Sequence, residues 1–466
     1  MQKKLTLLFI ILFLLPAATI AAGFFAPRVR GNVSVCGVDI TGCTEKEARL
    51  ALCDMIEEYK SRAIVITSKS GKRVLSCTET ETRFEKSGDT VKSGDTVKSV
   101  PHLRCEVDFS ALFSRALSVK KGERADLTLS ATYRLRDFPA LSADLQQLER
   151  VPAQNATMQF KPKEPPYFFF TEEKTGYAVD EYALLLLATE ACQALSALPL
   201  AGERTISLSV PYRTLCPDVT VADLKAQTQP LAWYSTDFSR SGTERKHNVC
   251  LAAEKLCGRV LGAGERLSFN EQVGARTKER GFLPATVISG GKYEMGVGGG
   301  VCQVSSTLYN AALLCGLTVK EWHAHSLAVS YVPPARDAMV SYGTADLVLC
   351  NEGETPVYLV AETQGGRLRF TFYGKPSGKR YALVSERVES IAPPPPLIEW
   401  DEKGKFPSLC LGEELLLQKE VEGFRAVCYL ETTEGGVTTR TLIRKSTYLP
   451  MQKHVMLGRA NPKEKG

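Results

Sequence analysis

A cysteine, two histidines and an aspartate, set close behind a run of glycines, are the residues of this chain best suited to chemistry. Cys302 follows GVGGGV, in which Gly296, Gly298, Gly299 and Gly300 allow backbone angles that side chains forbid and let another group approach closely. The residues after it predict a helix. Val304, Leu308, Ala311 and Cys315 recur at helical spacing, Gln303, Ser306 and Asn310 share the opposite polar face, and Gly316 is the expected stop. A thiol at a helix mouth meets free N–H groups and the positive end of the dipole, which favours the thiolate, the form that attacks carbonyl carbon. The same pattern also describes a glycine turn entering a core helix that starts with a small buried hydrophobe.

His323 and His325 follow Cys302 by 21 and 23 residues, enough for the helix to end at Gly316 and the chain to return alongside it. In an extended segment His323, His325, Leu327, Val329 and Tyr331 share one face. Asp337, beyond the Pro333-Pro334 turn, could then hold an imidazole in the tautomer that accepts a proton from a thiol. Cys302, His325 and Asp337 are therefore the candidate catalytic residues, with Gln303 or the backbone N–H groups near Gly300 as oxyanion donors. Gln303, Ser306, Asn310, His323 and Tyr342 are the candidate binding residues. The order of cysteine, histidine and aspartate is similar to that of papain-like and transglutaminase-like enzymes. Each histidine could instead be structural, and Asp337 a turn cap. A metal site using the His-x-His pair is a weaker alternative, because the spacing of a metal-binding signature is missing. No metal and no cofactor is expected. Arg276, Lys278, Glu279 and Arg280 suggest a solvated charged turn, with a clamp for a substrate carboxylate as the lesser reading.

The elements that must position these residues are those of a multidomain α+β protein. At 466 residues the chain exceeds one ordinary core, and 44% hydrophobic with 24% charged residues is the composition of a folded protein. A net charge of +6, without a compact basic stripe, argues against a nucleic-acid partner. Lys3 and Lys4 precede an apolar run over residues 5–25, which sets 1–28 as a signal-anchor or signal peptide with the rest of the chain outside the cell. Strand, helix and turn signals then give one α+β unit over 29–106 and a second over 107–232. Thr44 with Glu47 forms a capping-box pattern, helices are expected near 110–119 and 179–197, and residues 87–98 duplicate a polar hexapeptide in tandem, the mark of an exposed loop. Residues 233–376 hold the candidate site, a helix near 248–256, and a hairpin formed by PVYLVAET and RLRFTFYG around QGG. A Pro-rich linker is expected at 377–396 and a small all-β module at 397–466. The fourteen cysteines show no disulfide framework, and Cys53, Cys192, Cys315 and Cys350 fall in apolar or helical patterns that suggest burial.

The segments NVCLAAEKLCGRVL, GERLSFNEQVGARTKERGFLPA, GGGVCQVSSTLYNAALLCGL and HSLAVSYVPPARDAMVSYGTADLVLCNE resemble, in that order, the VanW-like proteins. The upstream units resemble the peptidoglycan-binding-type domains that precede this region in such proteins, and the tail is similar to a five-glycine β module. The chain departs from the usual pattern at Ala263, Trp322 and Ala335, and Trp322 stands where an arginine is common. The resemblance implies an envelope location and a tie to the cell wall, so that the chain, held to the membrane by the N-terminal segment read above, is expected to bind or scaffold peptidoglycan or its precursors. The alternative is a cysteine-dependent acyl-transfer or hydrolytic enzyme acting on peptidoglycan stem peptides, with Cys302 as nucleophile.

Overall fold

The computed structural model describes residues 26–77, 102–289, 292–402, 404–406 and 408–458. The apolar run 5–25 expected as an anchor and the duplicated hexapeptides at 87–98 lie outside these residues. Among the described residues no helix is long and apolar enough to cross a membrane. The chain is α+β, and it divides into two compact units: residues up to 154 together with 174–217, and residues 155–173 together with those from 218 onward.

In the first unit, parts of the segments expected as two domains, 29–106 and 107–232, pair with one another in two small sheets and share one core. The strand Asn32–Val35 pairs in parallel with Arg124–Leu127, and Ala63–Ser68 pairs in parallel with Thr205–Ser209. Parallel pairs need long crossovers, so neighbours in the sheet come from distant parts of the chain. Val33, Ile64 and Ile66 from the earlier segment pack with Phe113, Leu145 and Leu184 from the later one. Thr44 makes the expected capping box with Glu47 at the start of the helix Glu45–Ala51. The expected long helix is Glu181–Ala197, capped by Asp180. Its carbonyl end is met by the buried Arg62 guanidinium, which donates to Leu195 O, Leu198 O and Pro199 O at 2.7–3.1 Å. A cation there satisfies orphan carbonyls and complements the dipole. Cys192 is buried as expected, but Cys53 is exposed.

In the second unit a four-stranded antiparallel sheet is built on β1 (Gln229–Asp237), β4 (Val357–Gln364) and β5 (Arg367–Gly374), with β5 between the other two. The β4–β5 hairpin is the one expected from its alternation, and Gly365 and Gly366 supply the positive φ angles of the turn. Helix α1 (Thr243–Leu256) starts earlier than the stretch 248–256 predicted from sequence. The hairpin β2 (Pro284–Ser289) and β3 (Lys292–Val297) leads into helix α2 (Val301–Cys315), which lies across β1 and β5. Residues 155–173, expected in an upstream unit, form a hairpin here, with Phe168 about 5 Å from both Tyr358 and Tyr373.

The stretch 377–396 is not a linker throughout. Residues Arg380–Ile391 form a strand whose backbone bonds to β6 (Gly423–Glu434), itself paired with β7 (Val437–Tyr448); 377–379 and 392–396 run without a ladder. This C-terminal sheet shares packing with the rest of its unit, since Leu383 and Ile443 touch the core around α2. The Tyr381 ring lies so close to Gly316 that an added Cβ would come within 2.7 Å of it.

Candidate active site

The mouth of α2 is shaped by glycines. Gly298 and Gly300 have φ of +90° and +106°, which a residue with a side chain adopts only at a cost, and Gly300 is the cap from which the helix departs. Asn248, fully buried on α1, clamps the turn from behind: its Nδ2 donates to Leu283 O at 2.8 Å and Gly299 O at 3.0 Å, while its Oδ1 accepts from Leu283 N. Cys302 stands on the first turn, half-buried, with Sγ 3.5 Å from Val340 O. Among the described residues no group accepts its backbone N–H, as expected in the first turn of a helix.

His325 and Asp337 come from the irregular stretch after the strand Thr318–Glu321, whose burial alternates over 325–331 as the extended reading predicts, although no ladder forms. Asp337 is fully buried, and its Oδ2 accepts from the His325 backbone N at 2.8 Å and from Nδ1 at 2.6 Å. That pair of bonds fixes both the backbone and the ring of His325 and leaves Nε2 free, in a ring whose charge and hydrogen-bonding capacity act on the Cys302 thiol. Burial alone would depress the imidazole, yet the bonds to Asp337 and Cys302 outweigh it and raise its pKa to about 9. For Cys302, burial opposes ionisation, but the hydrogen bond and charge of His325 bring the thiol below its usual range. Burial also disfavours the Asp337 carboxylate; His325 outweighs it and holds the group ionised. These shifts all favour thiolate, imidazolium and carboxylate in series, the form in which a cysteine attacks a carbonyl.

The other Asp337 oxygen accepts from the Tyr448 hydroxyl at the end of β7, which also accepts from Ala335 N at 2.8 Å. Replacing Tyr448 with Phe leaves a buried carboxylate oxygen and a buried N–H unpaired. The expected cost is about 1–3 kcal/mol, read as a lower urea midpoint at unchanged slope.

The remaining sequence candidates are placed differently. Gln303, Ser306 and Asn310 are buried, and their side chains bond within the protein. Gln303 Nε2 donates to Thr236 Oγ1 and Asp237 O, which uses both of its hydrogens and leaves the oxyanion to backbone N–H groups. Ser306 Oγ accepts from Ala338 N, and Asn310 bonds Arg336 through both ends of its amide. These three bonds tie α2 to the stretch that carries Asp337. His323 points elsewhere, to Glu321 at 3.0 Å. Tyr342 is exposed on the rim of the cleft. Trp322 donates to Asp337 O and stacks on Tyr309, and Arg444 of β7 lies 4.7 Å over its ring, so a cation does stand beside this tryptophan. Among the described residues no cluster of three His, Cys, Asp or Glu side chains is placed to hold a metal.

Cys302 and His325 open into a cleft of about 970 Å³, walled by the β2–β3 hairpin on one side and residues 328–342 on the other. The region that forms it matches a known family along most of its length, since the family described as VanW like protein covers residues 244–373. Those residues form a VanW-like domain. An uncharacterized protein, YoaR, of Bacillus subtilis (strain 168) is 36% identical over 196 residues, covering 42% of this chain and 62% of the relative. The chain thus spans less than two thirds of the length of that relative. Two solved structures are also similar, an IgA1 protease G5 domain (18% identity, 18% of this chain and 93% of that one, TM-score 0.13) and HP0197-G5 (20% identity, 17% and 99%, TM-score 0.10). Their TM-scores are too low to assign a fold to any part of this chain. The VanW-like domain contains every member of the Cys302, His325 and Asp337 series, while Tyr448 lies outside it.

Tyr448 and Asn248 are the participants that sequence reasoning missed. Asn248 left a trace, a polar residue on the buried stripe of an otherwise ordinary amphipathic helix. Tyr448 left none.

Proposed function

We propose that the VanW-like domain is a cysteine-dependent acyl-transfer or hydrolytic site, and that its substrate is an amide in the peptide stem of peptidoglycan. One observation carries the reaction class: the His325 imidazole is bonded to Asp337 and acts on Cys302, at a helix mouth that opens into a cleft. The resemblance to VanW-like proteins directs the choice of a cell-wall substrate and of an envelope location. In the reaction the Cys302 thiolate forms an S–C bond with the carbonyl carbon, and the C=O π pair moves onto oxygen beside the Cys302 N–H. The oxyanion collapses and the C–N bond breaks as His325 Nε2 gives its proton to the departing nitrogen. Water, or an acceptor amine, then loses a proton to His325 and attacks the thioester, releasing the thiolate.

The test uses the full chain, isolated cell-wall sacculi and a fluorescent iodoacetamide. Wild type is expected to label Cys302 faster than its other cysteines and to release or transfer stem amines; Cys302→Ala is expected to lose turnover by at least about 10³-fold. Unchanged sacculi together with an ordinary labelling rate at Cys302 rule the enzyme out. If both proteins still sediment with sacculi in that case, the domain binds the wall without turning it over.

A further inference from the structure

The cleft places two arginines beside its thiol, and neither is neutralised by a carboxylate among the described residues. Arg245, on α1, and Arg276, before the β2–β3 hairpin, both line it together with Cys302. Their stems are packed against the glycine turn: a Cβ on Gly298 would meet Arg276 Cβ at 2.7 Å, and one on Gly300 would meet Arg245 Cγ at 3.0 Å. The guanidinium of Arg276 also lies 5.4 Å over the Phe269 ring. Two cations are thus built into the walls on either side of the helix mouth.

Neither arginine has a carboxylate partner among the described residues. Arg245 Nη1 donates to Ser241 Oγ at 2.6 Å, Arg276 Nη1 donates to Gly274 O at 3.1 Å, and Arg276 Nη2 is buried with no hydrogen-bond partner at all. Asp346 is the acid nearest Arg276, and its oxygens are taken by Ser268 Oγ, Asn270 N and Leu347 N. The acid that does line the cleft, Asp237, accepts from Ser239 N and Oγ. Desolvated guanidinium donors left unpaired beside a nucleophile are costly unless an anion arrives. A carboxylate matches the planar fork of such donors.

We propose that Arg245 and Arg276 form an anion subsite that takes a carboxylate of the acyl substrate. This rests on the cysteine-acyl reading and deepens it: the substrate is a peptide with a free carboxylate within a residue or so of the scissile carbonyl, such as a free C-terminus. With that carboxylate seated between the arginines, the neighbouring carbonyl is held over Cys302 Sγ.

Competing alkylation tests the subsite without requiring the natural substrate. Iodoacetate and iodoacetamide differ chiefly in carrying a carboxylate or a neutral amide. Cys302 labelling by each, located by mass spectrometry and referred to the same pair of rates on glutathione, gives a preference for the anion. Wild type is expected to prefer iodoacetate about tenfold or more relative to glutathione, as one charge-assisted contact implies. Arg276→Gln and Arg245→Gln are expected to slow both reagents but to collapse the ratio. Arg276→Lys, which keeps stem and charge, is expected to retain part of it and covers the case in which the glutamine variant fails to fold. An N-acetylated dipeptide with a free C-terminus should protect Cys302 from iodoacetamide, and its amidated form should not. A glutathione-like ratio in wild type, a raised ratio that survives every arginine variant, or equal protection by the two dipeptides overturns the subsite while leaving Cys302 a nucleophile. Cys302 inert toward both reagents removes the acyl reading, and the subsite with it.

Discussion

Asp337→Asn is expected to lower Cys302-dependent acyl transfer by about 10⁴-fold, the scale seen when an amide replaces a triad carboxylate. In the wild-type site both hydrogens that point at Oδ2 come from His325, one from its backbone and one from Nδ1. An asparagine oxygen can accept them but carries no charge, and an asparagine nitrogen at that position would oppose two donors. Either way the imidazolium loses the carboxylate that offsets its burial, so its pKa falls from about 9 toward the ordinary 6.5. Turnover, which needs a protonated His325 to release the amine, should hold up to about pH 9 in wild type and fail at lower pH in the variant. Stability follows the same signs. The raised imidazole contributes fully below 6.5 and fades as pH rises through about 9. The depressed Asp337 carboxyl contributes fully above 3.8 and fades as pH falls through its folded value. Turnover profiles and urea midpoints at several pH values, for both proteins, check this; an unshifted alkaline limb means that Asp337 does not govern the histidine.

Gly299→Ala should be the most damaging single methyl in the glycine turn. Its Cβ would come within 2.6 Å of Thr286 O and 2.8 Å of the Ala285 carbonyl, which are backbone atoms of a paired strand and cannot swing aside. The hairpin must move or the helix mouth must open. A cost of about 1–3 kcal/mol is expected from overpacking, together with slowed labelling of Cys302. Gly242→Ala is the control: like Gly299 it lies outside the positive-φ region, but its Cβ would meet only Glu244 Oε2 at 3.7 Å, an ordinary contact, so no overpacking cost applies. Equal midpoints for the two variants would mean that the turn relaxes more easily than its contacts imply.

The site's reacting groups were legible because special residue types announce themselves locally. Glycines before Cys302, the stop at Gly316, and a histidine and aspartate at return distance all lie within one stretch of chain. The roles of Gln303, Ser306 and Asn310 were not legible. Their spacing puts them on the polar face of an amphipathic helix, which ordinarily faces water. Here that face meets β1 and the backbone of residues 336–338, whose carbonyls take up its hydrogen-bonding groups. Periodicity reports that a face is polar, and only tertiary packing decides what satisfies it. The same limit explains the upstream half, where helices and strands are placed well but Asn32–Val35 pairs with Arg124–Leu127 across some ninety residues. It also explains Arg276, whose charged neighbours Lys278, Glu279 and Arg280 are indeed exposed while its own side chain turns into the cleft.

Tyr448 gives the site an order of assembly. A chain that emerges N-terminus first has produced Cys302, His325 and Asp337 long before the hydroxyl that occupies the second Asp337 oxygen, 111 residues later. Until β7 has closed onto β6, Ala335 N and one oxygen of that buried carboxylate both lack their partner. The last hydrogen bond to the aspartate that holds His325 therefore comes from a strand outside the VanW-like domain, so that domain cut off before β7 keeps Cys302, His325 and Asp337 but not the full set of bonds on the carboxylate.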